Sequence, residues 1–566
     1  MKTDTVLTPL RRFLKLLREE KKEVYGIYFY SILNGLVSLS LPLGIQAIFS
    51  FILAGRISTS WIVMVVIVAV GIGFGGFLQI SQLYMTEKLQ QRIFVKAGFG
   101  FAFRLPRLKL DELRTKYPPE LVNRFFDAVT LQKGTAKLLV DFSTASIQVI
   151  FGLILLSIYH PFFIIFGVIL IFILYLIFYF TSPRGMDTAL NESTAKYEVA
   201  FWLEEIARTL STFKLGGNSD LPFIKIDKLL EKYVDFRNRH FGVLVFQYKV
   251  LIIFKILIVS SLLIVGSLLL INNEISIGQF VAAEIIIVLV VNSVEKLILT
   301  LETVYDTLTA AEKMGKVMDL PLERQHGREK SFSPDKIGLS FEVQDLYYKS
   351  RSKEYNILKN VSFKLDHGEK AVLTGKTGSG KTSILDLLAG LYDDYEGRIL
   401  VNGLSMDTMN LEKYRAMVGD SLSFESIFHG TIRENITLGK DITDEEIRQV
   451  VKLVGFDGYL YNLPHELDTQ LMPEGRGHSK AVISKIILVR CLVCNPRALL
   501  LEEMFIYFDE ESKLRVIEYI FKGEWTILMI SNDPDVIKRA DRVLVIDDGQ
   551  LKFDGSSDGY FQMFNQ

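Results

Sequence analysis

The residues best suited to chemistry are eight in a row, Gly375-Lys376-Thr377-Gly378-Ser379-Gly380-Lys381-Thr382. Their glycines let the backbone turn so that successive N–H groups face inward, and a helix starting directly afterwards adds the positive end of its dipole. Such a stretch suits the phosphates of a nucleotide. In this reading Gly375 to Thr382 form the cradle, the Lys381 ammonium reaches the β- and γ-phosphates, and the Thr382 hydroxyl helps to hold Mg²⁺. Two neighbouring carboxylates, Glu502 and Glu503, close the apolar run Leu499-Leu500-Leu501. An acidic pair after a strand is usually surface decoration. Beside a phosphate loop it stands where a metal ligand and a base for an attacking water are needed, so Glu502 is assigned to the metal and Glu503 to the water.

These groups need a rigid frame. Short β-branched and aliphatic runs alternate with helical stretches in the C-terminal part: Val343 to Tyr348, Ala371 to Thr374, Ala498 to Leu501, Thr526 to Ile530 and Val543 to Ile546. The phosphate loop joins the second of these runs to a helix over Ser383 to Leu391. This pattern predicts an α/β domain with a largely parallel core sheet, spanning residues 337–566. A charged stretch with Pro321, Gly327 and Pro334 reads as a linker over residues 314–336.

Upstream the pattern is different. Apolar stretches at Tyr25 to Leu53, Trp61 to Leu83, Leu139 to Tyr159, Phe162 to Thr181, Val250 to Ile271 and Ile277 to Leu299 are each long enough to cross ~30 Å of hydrocarbon. Connections after the first, third and fifth are short, whereas those after the second and fourth are long and charged. Lys88, Arg92, Lys96, Arg104, Arg107, Lys109, Arg114, Lys116, Arg124 and Lys133 crowd the first long connection, which places it and both termini on the cytoplasmic side. Met85 to Phe103 and Leu190 to Leu210 lack proline and repeat apolar positions at helical spacing, so the spans of this domain, residues 25–313, are expected to extend into the cytosol. Pro106 to Asp127 and Thr209 to Pro222 each have room for a short transverse helix or a plain turn. Residues 1–24 include Pro9 to Glu23, a basic amphipathic segment expected on the cytoplasmic membrane face with its basic side toward headgroups.

Bulk properties narrow the field. The 566 residues exceed one domain, and 49% hydrophobic with 23% charged residues at a mean hydropathy of +0.28 fits a membrane part joined to a soluble one. A net charge of −1 supplies no basic surface for nucleic acid. Cys491 and Cys494 sit in a helical stretch with no second Cys or His pair, and read as packing residues rather than a metal or redox site. Lys255 and Glu284 fall inside spans, where charge is costly. They are expected to face a cavity or each other, or to snorkel to the interface. Gly71 and Gly75 form a helix-packing pair.

Taken together, the phosphate loop, the acidic strand end and six preceding spans resemble the ATP-binding-cassette exporters whose half-transporters place the membrane domain first. The resemblance covers almost the whole chain. Leu203-Glu204-Glu205-Ile206 through Gly216-Gly217 looks like that family's second intracellular loop, and Ile277-Gly278-Gln279-Phe280 like the start of its sixth span. Within that family the chain resembles the type I secretion and bacteriocin exporters, minus their N-terminal peptidase domain. The implied fold is an all-α six-helix transmembrane domain followed by an α/β phosphate-loop nucleotide-binding domain.

Departures from the family pattern are as informative. The glutamine that touches Mg²⁺ and the lytic water is replaced by Ser423, and the switch histidine by Asn532. The Leu-Ser-Gly-Gly-Gln signature reads His478-Ser479-Lys480-Ala481-Val482, keeping only Ser479 as a nucleotide contact. Loss of both glycines puts side chains where a γ-phosphate should meet bare backbone, although Lys480 offers a charge instead. The Mg²⁺-side aspartate is Glu502, and Asp509 fits the aspartate that follows. Ser350, Tyr348 and Tyr355 are the candidates to stack on adenine. The resemblance implies ATP and Mg²⁺ as cofactors and a second half-transporter, identical or related, as partner. It implies export of a peptide, protein or amphipathic substrate across a bacterial inner or plasma membrane, with Glu503, Ser423 and Asn532 as catalytic positions and slow turnover. The alternative is an ATP-binding regulatory or structural subunit that hydrolyses poorly.

Overall fold

The computed structural model describes residues 8–53, 59–113, 116–324, 327, 338–349, 355–422 and 426–564. They divide into two compact units. One holds the residues up to Pro106 and Tyr117–Asp319, and the other holds Arg107–Lys116 with Leu320 onward.

The first unit is helical throughout. Helix α1 (Pro9–Glu19) starts on Thr8, whose hydroxyl accepts from Arg11 N at 3.4 Å, with Pro9 supplying a preset φ at the first position. Six spans follow, each long and apolar enough to cross a membrane. The first comprises α2 (Lys21–Ser38) and α3 (Ser40–Leu53), with a break at Leu39 in what the sequence presents as one run. The second is α4 (Thr59–Arg104). After Arg107–Lys116, helices α6 (Pro118–Asn123) and α7 (Asp127–Lys137) lead through one π turn at Leu138–Phe142 into α8 (Ser143–Tyr159). Then come α9 (Phe162–Arg208), α10 (Leu210–Leu215), α11 (Leu221–Ile271) and α12 (Ile277–Met318). The expected helical extensions are therefore present, and α12 opens on a capping box made by Ser276 and Gln279.

Ile165, Ile169, Phe172, Ile264 and Phe77 all point outward at more than half exposure. In a soluble protein that apolar surface would be a liability, but toward lipid tails it is the required surface. Inside, Leu156, Phe163, Leu170, Leu251 and Ile286 make one core between α8, α9, α11 and α12. Phe13, Ile27, Leu89 and Leu131 make a second beneath α1. Two expectations need correction. Lys255 Nζ pairs with Glu295 Oε2 at 3.0 Å, not with Glu284. Arg12 does not face headgroups: its side chain is only 8% exposed and lies against Glu312 of α12. In addition, α12 runs to Met318, into the stretch that reads as linker.

Two sheets dominate the second unit, which also contains the short helix α5 (Leu110–Leu113). Strands β1 (Phe341–Lys349), β2 (Asn356–Leu365), β4 (Tyr395–Val401) and β5 (Leu404–Ser405) form an antiparallel sheet ordered β2-β1-β4-β5. The larger sheet, ordered β12-β11-β3-β10-β9-β6, contains β3 (Lys370–Thr374), β6 (Val418–Ser421), β9 (Ala498–Glu502), β10 (Thr526–Ile530), β11 (Arg542–Asp547) and β12 (Gln550–Gly555). All its neighbours pair parallel except β11 with β12. Val343 to Tyr348 thus belongs to the antiparallel sheet and not to the parallel core. A ribbon of β7 (Gly430–Thr431) and β8 (Gln470–Leu471) completes the strands among the described residues.

Alternation along the parallel strands separates two cores. Val372, Leu499, Leu501, Ile527 and Met529 face the helical side, and Ala371, Leu373, Leu500, Leu528 and Ile530 face the antiparallel sheet. Each fully buried Leu or Ile contributes roughly 1.5–3 kcal/mol, enough to hold the strand ends rigid. The segment Arg107–Lys116 packs into this unit. Leu108 bridges Leu322, Lys109 Nζ meets Asp393 Oδ2 at 2.6 Å, and Asp111 Oδ2 accepts from Asp393 N at 2.9 Å.

Candidate nucleotide site

Strand β3 delivers the chain to the phosphate loop at the C-terminal edge of the parallel sheet, the usual place for a ligand in this class of fold. Gly375 has φ +138°, and a Cβ there would strike the Ile546 carbonyl of β11. Gly380, at φ +104°, precedes helix α13 (Lys381–Leu388), and a Cβ on it would lie 2.7 Å from Leu358. Only glycine satisfies both the torsions and the close approaches.

Lys381 Nζ donates to the carbonyls of Gly375 and Lys376, both at 2.7 Å, so the ammonium is held inside the loop by backbone oxygens. Burial pushes it below the usual lysine value, against the opposing pull of Glu503 and Glu502. Ser379 is 5% exposed and its Oγ has no hydrogen-bond partner among the described residues. A buried hydroxyl of this kind suits a phosphate oxygen.

The metal candidates meet directly: Thr382 Oγ1 donates to Glu502 Oε1 at 2.5 Å, joining the first turn of α13 to the end of β9. Among the described residues no group of three or more His, Cys, Asp or Glu side chains forms a metal cage. One hydroxyl and one carboxylate fit Mg²⁺, which keeps several waters and takes its remaining ligands from nucleotide phosphates.

Glu503 follows with φ +39°, its N–H bonded to the Ile530 carbonyl at 3.1 Å. A non-glycine residue in that region is strained, and here the strain turns the side chain at a strand end. Glu503 and Asn532 line one cavity of about 390 Å³ with Phe505, Ile506, Lys513 and Met529. Asn532 Oδ1 in turn accepts from Thr374 Oγ1 at 2.6 Å. The structure thus brings together Gly375 to Thr382, Glu502, Glu503 and Asn532. Thr374, which anchors Asn532, carries no motif that would have marked it.

The signature-position residues are occupied elsewhere. Ser479 caps helix α14 (Lys480–Val493), its Oγ accepting from Val482 N at 3.3 Å. Lys480 lies over the Tyr507 ring, and His478 Nδ1 is 2.7 Å from Tyr459 Oη. Asp509 caps helix α15 (Glu510–Lys522). Hydrogen bonds from Ser512, assisted by Lys485 at 3.3 Å, hold its carboxyl down at about 2. Tyr348 is 1% exposed in the core and offers no face to a base, whereas Tyr355 is 62% exposed. Ser423 and Ser350 lie outside the described residues. Cys491 is buried and Cys494 partly buried, both unoxidised, on α14.

Comparison with known proteins follows the same division. Residues 25–294 match the family profile described as ABC transporter transmembrane region, and residues 358–505 match the one described as ABC transporter. The chain is 24% identical over 558 residues to the transport/processing ATP-binding protein ComA of Streptococcus pneumoniae, covering 96% of this chain and 76% of ComA. It is 29% identical over 286 residues to an ATP-dependent lipid A-core flippase of Legionella pneumophila, covering 50% of this chain and 48% of that one. Other curated relatives are likewise matched over less than half their length. A solved structure of a bacterial Atm1-family ABC exporter with ATP bound superposes with a TM-score of 0.86 over 96% of both chains, at 18% identity.

Proposed function

The chain belongs to the ABC transporters, with the membrane region and the ATP-binding region in one polypeptide, and we propose that it is an exporter half that binds MgATP and works as a dimer. The observation that carries the reading is the loop Gly375 to Thr382, closed on Lys381 and joined to Glu502 through Thr382. In the proposed reaction Lys381 leaves the loop carbonyls for the β- and γ-phosphates, and Ser379 and the loop N–H groups take phosphate oxygens. Thr382 and Glu502 would hold Mg²⁺, which neutralises the charge developing on the phosphates. Glu503 orients a water for in-line attack, and Asn532, which lines the same cavity, stands at its flank. Closure of two such domains on ATP drives the spans from inward- to outward-facing.

The basic first connection supports cytoplasmic termini and a cytoplasmic nucleotide-binding domain. A peptide, small protein or other amphipathic molecule is the proposed substrate, a choice that rests on the resemblance to the type I secretion and bacteriocin exporters. A second reading, an ATP-binding subunit with little turnover, is favoured by Ser479 and Lys480 being engaged within their own chain. Phosphate release by the purified chain, alone and with any co-purifying half, separates the two. Bound ATP with no turnover in either state would overturn the pump.

A further inference from the structure

Strand β10 ends beside the two groups assigned to the attacking water. Ile530 accepts from Glu503 N at 3.1 Å, Ser531 N donates to the Leu373 carbonyl at 3.3 Å, and Asn532 Oδ1 accepts from Thr374 Oγ1 at 2.6 Å. These bonds fix the strand end toward β9 and β3, and pairing with both strands stops at Ile530. Directly after Asn532 the chain turns into the short helix α16 (Pro534–Arg539), capped by Asp533. Sheet bonds therefore hold Asn532 from one side only.

The other side is held by a charge pair that no motif marks. Lys513, on the first turn of α15, is 9% exposed, and its Nζ lies 2.5 Å from Asp533 Oδ2 and 3.5 Å from Glu510 Oε1. The second oxygen of Asp533 accepts from Asp535 N at 2.9 Å. Burial works against ionisation of Asp533, yet Lys513 and that N–H hold its carboxyl below the usual value. Lys513 in turn stands on a firm base, because Val516, Ile517 and Ile520 of the following turns are fully buried on the helical side of the sheet. A pair shielded in this way adds little net stability against its desolvation cost, but losing one partner strands the other charge, so it fixes which elements meet. Lys513, Asp533, Asn532 and Glu503 all border the same cavity. With two carboxylates around it, the Lys513 ammonium is an anchor and not a spare charge for a phosphate.

We propose that Lys513 is a positioning residue: through Asp533 it holds Asn532 at the γ-phosphate end of bound ATP, beside Glu503. This rests on the reading of Glu503 and Asn532 as the groups around the attacking water. The start of α15 and the end of β10 then move as one part, and any shift of α15 is carried to Asn532. Such placement matters for rate, since a misplacement of about 1 Å away from the chemistry can cost on the order of 100-fold.

The experiment uses the full chain in phospholipid vesicles, with turnover at saturating MgATP and the separate affinities for ATP and ADP as readouts. K513M keeps the side-chain volume and removes the charge. Its turnover is expected to fall about ten- to a hundredfold and its preference for ATP over ADP several-fold, while ADP affinity, which reports the phosphate loop, stays native. D533N, which keeps a capping oxygen on α16, should behave alike and carries the same test if K513M does not fold. K513R should restore most of the loss. In an N532A background K513M should add little, because its effect passes through Asn532. Native-like turnover and ATP preference in K513M and D533N overturn the proposal, as do parallel losses for ATP and ADP or an undiminished K513M effect in N532A. Absence of turnover in every sample, the native chain included, would count against the hydrolysis reading, with the ATP to ADP preference still deciding the role of Lys513.

Discussion

The Lys480 ammonium sits 5.4 Å from the centroid of the Tyr507 ring and 3.4 Å from its hydroxyl, so a side chain that replaces a glycine of the signature is held by its own chain. A cation over an aromatic ring at an exposed site is stabilised by about 0.5–1 kcal/mol. Engaging a phosphate there must first overcome that hold.

Removing the obstruction should speed the reaction. Lys480→Gly with Ala481→Gly restores bare backbone at the two positions, and phosphate release is expected to rise about tenfold, equivalent to ~1.4 kcal/mol off the barrier. Both residues open α14, so the glycines should cost up to about 1 kcal/mol each in stability. Equal or lower turnover in a folded variant would show that Lys480 is used rather than in the way.

Lys381→Ala should leave the fold intact and weaken ATP binding about 100-fold, ~2.7 kcal/mol, because the charge-assisted contacts to phosphate are lost. Nucleotide titration of the purified variant measures it, and native affinity would remove Lys381 from the site.

For Glu503→Gln the expectation divides binding from chemistry. ATP affinity should stay near native while turnover falls roughly 10²–10⁴-fold, the usual contribution of a positioned base. A matching fall in both would make Glu503 a binding residue.

Gly375→Ala tests the loop's geometry. With φ at +138° and the Ile546 carbonyl in the path of a Cβ, the substitution should destabilise the soluble unit by about 1–3 kcal/mol and reduce ATP affinity with it. Thermal unfolding and titration together report the outcome.

How much of this was visible in the chain depends on distance along it. The phosphate loop was legible because all its parts are contiguous and each glycine has a steric reason. Glu502 and Glu503 were legible because they end an apolar run. The Thr374 to Asn532 bond joins the ends of two strands that become neighbours only when the parallel sheet forms, and no local pattern announces it. Tyr348 is a stacking candidate in the sequence because it neighbours the position that the family pattern marks, yet alternation along β1 turns it into the core. Glu284 is nearer to the start of α12 than Lys255 is to the end of α11. In an antiparallel pair joined by a short turn, Lys255 therefore comes level with Glu295. Hydropathy presents the first span as one run because it does not register the interruption of the helix at Leu39.

Asp509 gives a dependence on acidity with a definite sign. Its folded value of about 2 lies below the ordinary carboxylate value, so the ionised cap favours the folded state above pH ~4, and that contribution is lost as pH falls toward 2. The group is largely exposed, so the effect is small. The native chain should exceed Asp509→Asn in unfolding temperature at neutral pH, and the gap should close on acidification. A gap that stays constant across this range would mean that the capping geometry, and not the charge, is what counts.

The placement of Arg107–Lys116 has a practical corollary. Leu108 and Leu113 are nearly buried in the unit that otherwise begins at Leu320, and Lys109 and Asp111 add polar ties to Asp393. The polypeptide therefore enters that body twice, and a gene fragment started at Leu320 would express a domain missing one of its own parts. Its exposed seat for two leucines would favour clumping in solution, and supplying residues 107–116 as a separate peptide should restore a monodisperse preparation.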